Sequence, residues 1–309
     1  MVNALVLGKL DASQQSGISA LLDSATRHDG HAALPEPQRV AVARSDLGGG
    51  TTVVLAMMEG APVGCAVLSA AADGPTSLHL VVDPAHRDKG GDERIRTLLM
   101  TTALASVSGQ VRLWAMRATP SDDAEAARFD FVSERDVLQM RVALPLPEGV
   151  VSASRPIATR SFVAGQDDEA LLSVNNRAFE GHPEQGGWTM EQFRSRRSAP
   201  WVDLGGILMA DAPDGSGLIG SCWTKIHRNA TPVLGEIYVI AVDPSHHGQG
   251  WGRALTVAGL TFMAQAGVTV GMLYTDASND AAVALYRSLG FTVDHVDRSY
   301  IGDTAPRSA

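Results

Sequence analysis

Cysteine is nearly absent from this 309-residue chain. Its two copies, Cys65 and Cys222, stand far apart, each inside an apolar stretch that reads as a strand. A disulfide scaffold or a cysteine-based metal site would need more. The nine histidines show no HExxH or similar spacing, so we expect no catalytic metal. No apolar run approaches the roughly 18 residues that cross a bilayer. Residues 1–9 have neither the basic start nor the small-residue cleavage site of an export signal. We therefore expect a cytoplasmic protein with no membrane partner. Basic residues are also in short supply: 25 Lys and Arg against 34 Asp and Glu give a formal charge of −9. That leaves no basic stripe for a nucleic acid. It also opposes any polyanion at long range, so a phosphate-rich ligand must be held locally, by backbone amides and a few placed cations. A cationic acceptor suits the balance well.

The remaining composition is ordinary for a globular protein, 45% apolar and 19% charged. At about 150 residues per domain the length suggests two. Self-similarity supports this division. Val63-Gly64-Cys65-Ala66-Val67-Leu68 followed by Leu78-His79-Leu80-Val81-Val82-Asp83-Pro84 is repeated as Leu218-Ile219-Gly220-Ser221-Cys222-Trp223 followed by Tyr238-Val239-Ile240-Ala241-Val242-Asp243-Pro244. The two V-D-P turns stand 160 residues apart, a duplicated domain and not a solenoid. Leu144-Pro145-Leu146-Pro147 and the small residues after it break any helix. We expect a first domain over 1–145, a linker over 146–156 and a second domain over 157–309. Turn-rich stretches at 46–50 and 211–217 read as hairpin connections.

In the second copy the spacing predicts helices over 167–179, from Thr189, over 250–265 and over 280–289. Thr189 with Gln192 forms a capping box. Strands are predicted over 206–210, 217–227, 233–242 and 270–275, with a last one after Phe291. Mixed strands with crossing helices make an α/β (α+β) domain.

The central motif is His247-Gly248-Gln249-Gly250-Trp251-Gly252-Arg253. It follows a strand and opens a helix. Glycines allow a sharp turn and close approach of an anion, and unpaired amides at a helix start attract phosphate. Arg253 adds a cation at the edge. On its own such a run is equally a tight turn with no ligand. Its spacing is not GxGxxG, and no Gly-Lys-Ser/Thr follows, so neither a dinucleotide loop nor a Walker loop fits.

Strand, V-D-P, the glycine loop, a helix and then Asn279-Asp280-Ala281-Ala282-Val283-Ala284-Leu285-Tyr286-Arg287-Ser288-Leu289-Gly290-Phe291 resemble the GNAT N-acetyltransferase superfamily. His247 stands where that family carries Gln or Arg. The resemblance implies two tandem GNAT domains, each a mixed sheet flanked by helices, and acetyl-CoA as co-substrate. It makes Glu236, otherwise readable as a solvated strand carboxylate, a general base, and Tyr286 the general acid. The cofactor contacts it implies are Ile240, Ala241, Val242, His247, Gly248, Gln249, Gly250, Trp251, Gly252, Arg253 and Asn279, with Leu80, Val81 and Val82 in the first copy. Asn279 also reads as a helix cap.

The two copies are unequal. Around Gly90 the first carries Asp88, Asp92 and Glu93, acids where a pyrophosphate would lie. It has no carboxylate matching Glu236 and no run matching 279–286. An active second copy behind a degenerate first resembles tandem members of the family that acetylate the cysteinyl amine of cysteinyl-glucosaminyl-inositol. Residues 175–189 carry much of that likeness. It implies acceptor contacts at Glu36, Glu184, Lys225, Glu236 and Tyr274, in a monomer whose partner is this small amine. The alternatives are a GNAT enzyme for another small amine or a protein N-terminus, and a non-catalytic acyl-CoA sensor.

Overall fold

The computed structural model describes residues 2–71, 74–87, 90–181, 185–215 and 217–304. By contacts the chain divides into two compact units, residues 1–136 with 296–309, and residues 137–295. The first unit runs β1 (Val2–Leu7), α1 (Ala12–Asp29), α2 (Glu36–Val42), β2 (Thr51–Met58), β3 (Ala61–Ser69), β4 (Thr76–Val82), α3 (Gly91–Ser106), β5 (Gly109–Ala115), α4 (Pro120–Arg128) and the start of β6 (Val132–Ala143). β1 to β4 pair antiparallel in order, and β5 joins β4 in parallel. β2 and β3 are apolar almost throughout because both faces of the sheet are covered. Val54, Ala56, Ala66 and Leu68 pack in one cluster with Ile95 and Leu99 of α3. Their alternates Val53, Leu55, Cys65 and Val67 pack with Ile18 and Leu21 of α1.

The second unit continues with α5 (Glu148–Ser152), β7 (Arg160–Ser161), α6 (Asp168–Ala178), α7 (Met190–Arg197), β8 (Ile207–Asp211), β9 (Leu218–His227), β10 (Leu234–Val242), α8 (Trp251–Gln265), β11 (Val270–Asp276), α9 (Asp280–Ser288) and β12 (Thr292–Thr304). β7 to β10 are antiparallel in order and β11 joins β10 in parallel, repeating the first unit. One face carries Cys222, Ile237 and Leu273 beneath Leu255, Leu260 and Met263 of α8. The other carries Met209, Trp223 and Val239 beneath Leu171 and Val174 of α6 and Phe193 of α7.

The sixth strand of each unit comes from the other repeat. β6 enters the second unit, where Val137 to Ala143 pair antiparallel with Asp276 to Val270 of β11. β12 enters the first unit, where Arg298 to Thr304 pair with Ala115 to Gly109 of β5. The expected linker, 146–156, contains α5 and lies within the second unit.

The expected mixed α/β (α+β) architecture is present in both units, and the predicted elements of the second copy lie within two residues of those observed, except that β12 runs on to Thr304. Residues 211–217 connect a hairpin, β8 to β9. Residues 46–50 do not: they lead from α2 into β2, and Asp46 bridges to Lys9.

Both V-D-P turns are tied by their aspartates. Asp243 accepts from the Ser245 amide at 3.0 Å and hydroxyl at 2.6 Å, and from Arg177 Nε at 2.9 Å. The Ser245 hydroxyl, with Arg177 beside it, holds this carboxyl at about 2 against its ordinary 3.8. A depressed carboxyl contributes stability that is complete above its unfolded value and is lost as pH falls through its folded one. Wild-type protein should therefore lose stability between pH of about 4 and about 2 more steeply than Asp243→Asn, as followed by acid-dependent thermal unfolding.

α8 lies close against β9 because glycine occupies the contact. A Cβ at Gly220 would stand 2.3 Å from the Ala241 carbonyl and 2.9 Å from Leu255 Cδ1. The first neighbour is backbone and cannot turn aside. Gly220→Ala should cost roughly 1–3 kcal/mol, read as a Tm lowered by several degrees; an unchanged Tm would mean that the two layers slide without cost.

Candidate active site

In the second unit β10 pairs with β11 only from Leu234↔Val270 to Ile237↔Leu273. β10 then runs on to Val242 and β11 to Asp276. The two strands part there, and a register shift between Ile237 and Val239 bends β10 at the same place. Ile240, Ala241 and Val242 lie on the separated stretch and pair on their other side with Cys222, Ser221 and Gly220. β4 and β5 part in the same manner after His79↔Trp114, leaving Leu80, Val81 and Val82 beyond the ladder.

At the end of β10 the chain turns into α8. Gly248 and Gly250 have φ of 73° and 84°, in the left-handed region where a side chain is strained. Gly250 is the N-cap of α8, and a Cβ at either glycine would meet nothing within 4 Å. The first turn of α8 contains no acid, whereas that of α3 holds Asp92 and Glu93. His247 Nε2 lies 2.9 Å from the Val242 carbonyl. Arg87, 160 residues earlier, donates to the Val82 carbonyl and to both oxygens of Asp29. Gln249 accepts at Oε1 from the Trp251 indole at 3.3 Å. Arg253 donates to the hydroxyls of Ser154 and Ser288 at 3.0 and 2.7 Å, bracing the loop from behind. The cation stacked on the loop is Arg155, over the Trp251 ring at 3.7 Å and donating to the Gln249 carbonyl at 3.1 Å. Nothing in the repeat singled out Arg155. Gly252 would place a Cβ only at ordinary contact, 3.8 Å from Leu285.

Strand alternation sorts the remaining side chains. Ile226, Ile237, Leu273, Met140 and Val142 face α8. Their alternates therefore share the opposite face: Lys225 and His227 on β9, Glu236 on β10, Tyr274 on β11, and Gln139 and Arg141 on β6. Glu236 is buried, directly across from Lys225, and its Oε2 lies 2.6 Å from His227 Nε2. Lys225 Nζ sits 4.2 Å from the Trp201 ring centre and 5.5 Å from that of Tyr238, close enough for the ring faces to hold the ammonium. Tyr274 is 41% exposed and accepts from Gln139 Nε2 at 2.7 Å, while Gln139 Oε1 accepts from Arg141 Nε. Arg141 also pairs with Asp294.

Tyr286 lies on the other face, buried in the core beneath α8 and packed on Phe291 with ring centres 5.7 Å apart. Burial, with Cys222 nearby, pushes its phenol up to about 12. Asn279 caps α9, its Oδ1 accepting from the Ala282 amide at 3.1 Å. Of the other expected contacts, Glu36 opens α2 in the first unit, and Glu184 lies outside the described residues.

The unusual 175–189 stretch is partly explained by its own bracing. Asn175 donates to the Gln185 carbonyl, Asn176 closes a loop by bonding both backbone groups of Trp188, and Arg177 reaches Asp243. His227, Gln139 and Arg141 were missed from sequence. Lys225 and His227 share a face by alternation, but their nearness to Glu236 depends on a cross-strand register that spacing alone does not fix.

A family model for the acetyltransferase (GNAT) family matches residues 169–291. A mycothiol acetyltransferase of Nocardia farcinica is 38% identical over 304 residues, covering 96% of this chain and 97% of that protein. Another, from Thermomonospora curvata, is 41% identical over 93% of each chain. Among solved structures, a GCN5-related N-acetyltransferase from Sphaerobacter thermophilus matches 98% of this chain and 96% of its own at a TM-score of 0.69 and 22% identity. A tandem GNAT protein from the clavulanic acid biosynthesis pathway matches 100% of both chains at 0.68 and 16%. At those identities the two structures show the fold, a tandem GNAT architecture.

Proposed function

This chain belongs to the mycothiol acetyltransferase family, and from that premise we propose that it carries the acetyl group of acetyl-CoA to the cysteinyl amine of cysteinyl-glucosaminyl-inositol, the last step of mycothiol biosynthesis. The observation that carries the reading is the position of Glu236: a buried carboxylate one residue before β10 and β11 part, on the face it shares with Lys225 and Tyr274.

Acetyl-CoA, when bound, supplies the activated acetyl group. The open backbone at Gly248 and Gly250 and an acid-free helix start fit its phosphates. The unpaired edge of β10 at 240–242 fits an extended pantetheine arm bonded as an added strand would be. Arg253 supports this loop and Asn279 caps α9. Glu236 takes a proton from the acceptor's ammonium, leaving the nitrogen lone pair free to attack. The nitrogen forms the C–N bond at the thioester carbonyl as the C–S bond breaks. Tyr286 gives its proton to the departing thiolate, and the second proton that the nitrogen sheds on becoming an amide returns the phenol to its acid form. Its phenol stays protonated at neutral pH because burial penalises the phenolate, and the same apolar wall disfavours an uncompensated thiolate. Glu236 and Tyr286 face opposite sides of the sheet, so the parting of β10 and β11 is the place at which both reach one thioester. Lys225 and Tyr274 line the acceptor side, where hydroxyl-rich groups find both a cation and a phenol.

The catalytic groups belong to the second repeat. At a 160-residue spacing the first has Thr76 for Glu236 and Ala126 for Tyr286. We assign turnover to the 157–309 copy and a supporting role to the 1–145 copy. The test is mass spectrometry of protein, acetyl-CoA and cysteinyl-glucosaminyl-inositol. One added acetyl group on nitrogen is the expected result. An unmodified acceptor with acetyl-CoA still bound would leave the acceptor wrongly assigned.

A further inference from the structure

We infer that His227 is a positioning residue for Glu236, an inference that rests on the reading of Glu236 as the base. Three observations carry it. The contact between His227 Nε2 and Glu236 Oε2 is 2.6 Å, within hydrogen-bond reach and at the short end, the direction in which a charged partner moves such a bond. The carboxylate side chain is 11% exposed, whereas the imidazole, at 31%, reaches solvent. The two residues also come from adjacent antiparallel strands, with His227 opposite Leu234 and Glu236 opposite Lys225, so the pair is a diagonal cross-strand contact held by the sheet ladder and not by a loop.

The direction of the bond follows from its partners. An ionised carboxylate only accepts, so the hydrogen lies on Nε2. Oε2 is thereby committed to His227, and Oε1 keeps its lone pairs for the incoming proton. In the step itself the ammonium N–H bond breaks and its electron pair stays on nitrogen. The proton bonds to Oε1 of Glu236, and His227 retains its own proton throughout. His227 therefore touches no reacting atom. It holds the carboxylate in one rotamer while Oε1 faces the amine.

Four proteins test this by steady-state kinetics: wild type, His227→Gln, His227→Asn and His227→Phe. Glutamine places its amide nitrogen near the Nε2 position and keeps the donor; asparagine places it near Nδ1 and falls short; phenylalanine keeps the ring and loses the donor. His227→Gln should stay within about threefold of wild type in kcat. His227→Asn and His227→Phe should each lose roughly tenfold to a hundredfold in kcat, part of the roughly 10²–10⁴ that a positioned base contributes, with KM for both substrates within about twofold. Wild-type kcat in His227→Phe, or glutamine no better than phenylalanine, would overturn the inference alone. Should one of these variants not fold, His227→Asn still separates the donor from the packing, because wild-type kcat there also overturns it. Full activity in Glu236→Gln would instead remove the base, and this inference with it.

Discussion

Glu236→Gln should lower kcat by about 10²–10³-fold, roughly 3–4 kcal/mol of barrier, and leave the KM for acetyl-CoA within about twofold. The amide is nearly the size of the carboxylate, and its carbonyl oxygen can still accept from His227, so the 2.6 Å contact survives the change. Lys225 opposite and the parting of β10 from β11 are set by backbone register and are untouched. What is lost is an oxygen basic enough to take the ammonium proton. Turnover equal to wild type in this variant would return Glu236 to a structural carboxylate, and a matched rise in KM for the acceptor alone would make it a binding group. Steady-state kinetics with each substrate varied in turn separates the three results.

The second large effect is a comparison of two equivalent glycines. Gly250→Asp should weaken acetyl-CoA binding by about a hundredfold or more, about 2.7 kcal/mol, while Gly90→Asp changes the acetyl-CoA KM of turnover little. Both positions are left-handed N-caps, at φ of 84° and 74°, so the backbone strain introduced is alike. Aspartate is among the residues that tolerate that region best, and a carboxylate at a helix start favours the helix itself. The fold should therefore survive both changes. The difference lies in the ligand. At α8 the new charge meets pyrophosphate at a helix start with no acid in its first turn, whereas α3 already carries Asp92 and Glu93. A larger loss from Gly90→Asp would place the working cofactor loop in the first repeat.

Features governed by short-range chemistry were legible in the sequence. Thr189 and Gln192 form the capping box expected of them, at 3.2 and 2.9 Å, because a cap involves four neighbouring residues. The glycines at 248 and 250 adopt the positive φ that their spacing implied. The 160-residue period holds even where chemistry changes. Thr119 and Asn279 both cap the helix before the last strand, and Asp130 and Gly290 both take positive φ. The first repeat thus has, as α4, the short helix that the repeat pattern leads one to expect before its last strand, although the residues matching 279–286 are lost.

Features set by pairing at a distance were not legible. The register that brings His227 to Glu236 is set by a six-residue connection, which leaves no pattern in composition. Placing Tyr286 on the face opposite Glu236 required knowing which side α9 covers. The exchange of β6 and β12 was hidden for a simpler reason: the two strands occupy equivalent places in equivalent repeats, so either satisfies the same hydrophobic alternation.

That exchange bears on how such a protein can change over time. An N-terminal duplicate that takes no part in turnover is ordinarily free to be shed by a downstream start codon. Here a stop just before Thr292 would take Arg298 to Thr304 from β5, and a start after Ala143 would take Val137 to Ala143 from β11. Each deletion leaves a strand of the remaining unit, β5 or β11, without the partner it pairs with. If turnover belongs to the second copy alone, as proposed, the first is still retained by its topology: descent can remodel it but cannot simply delete it.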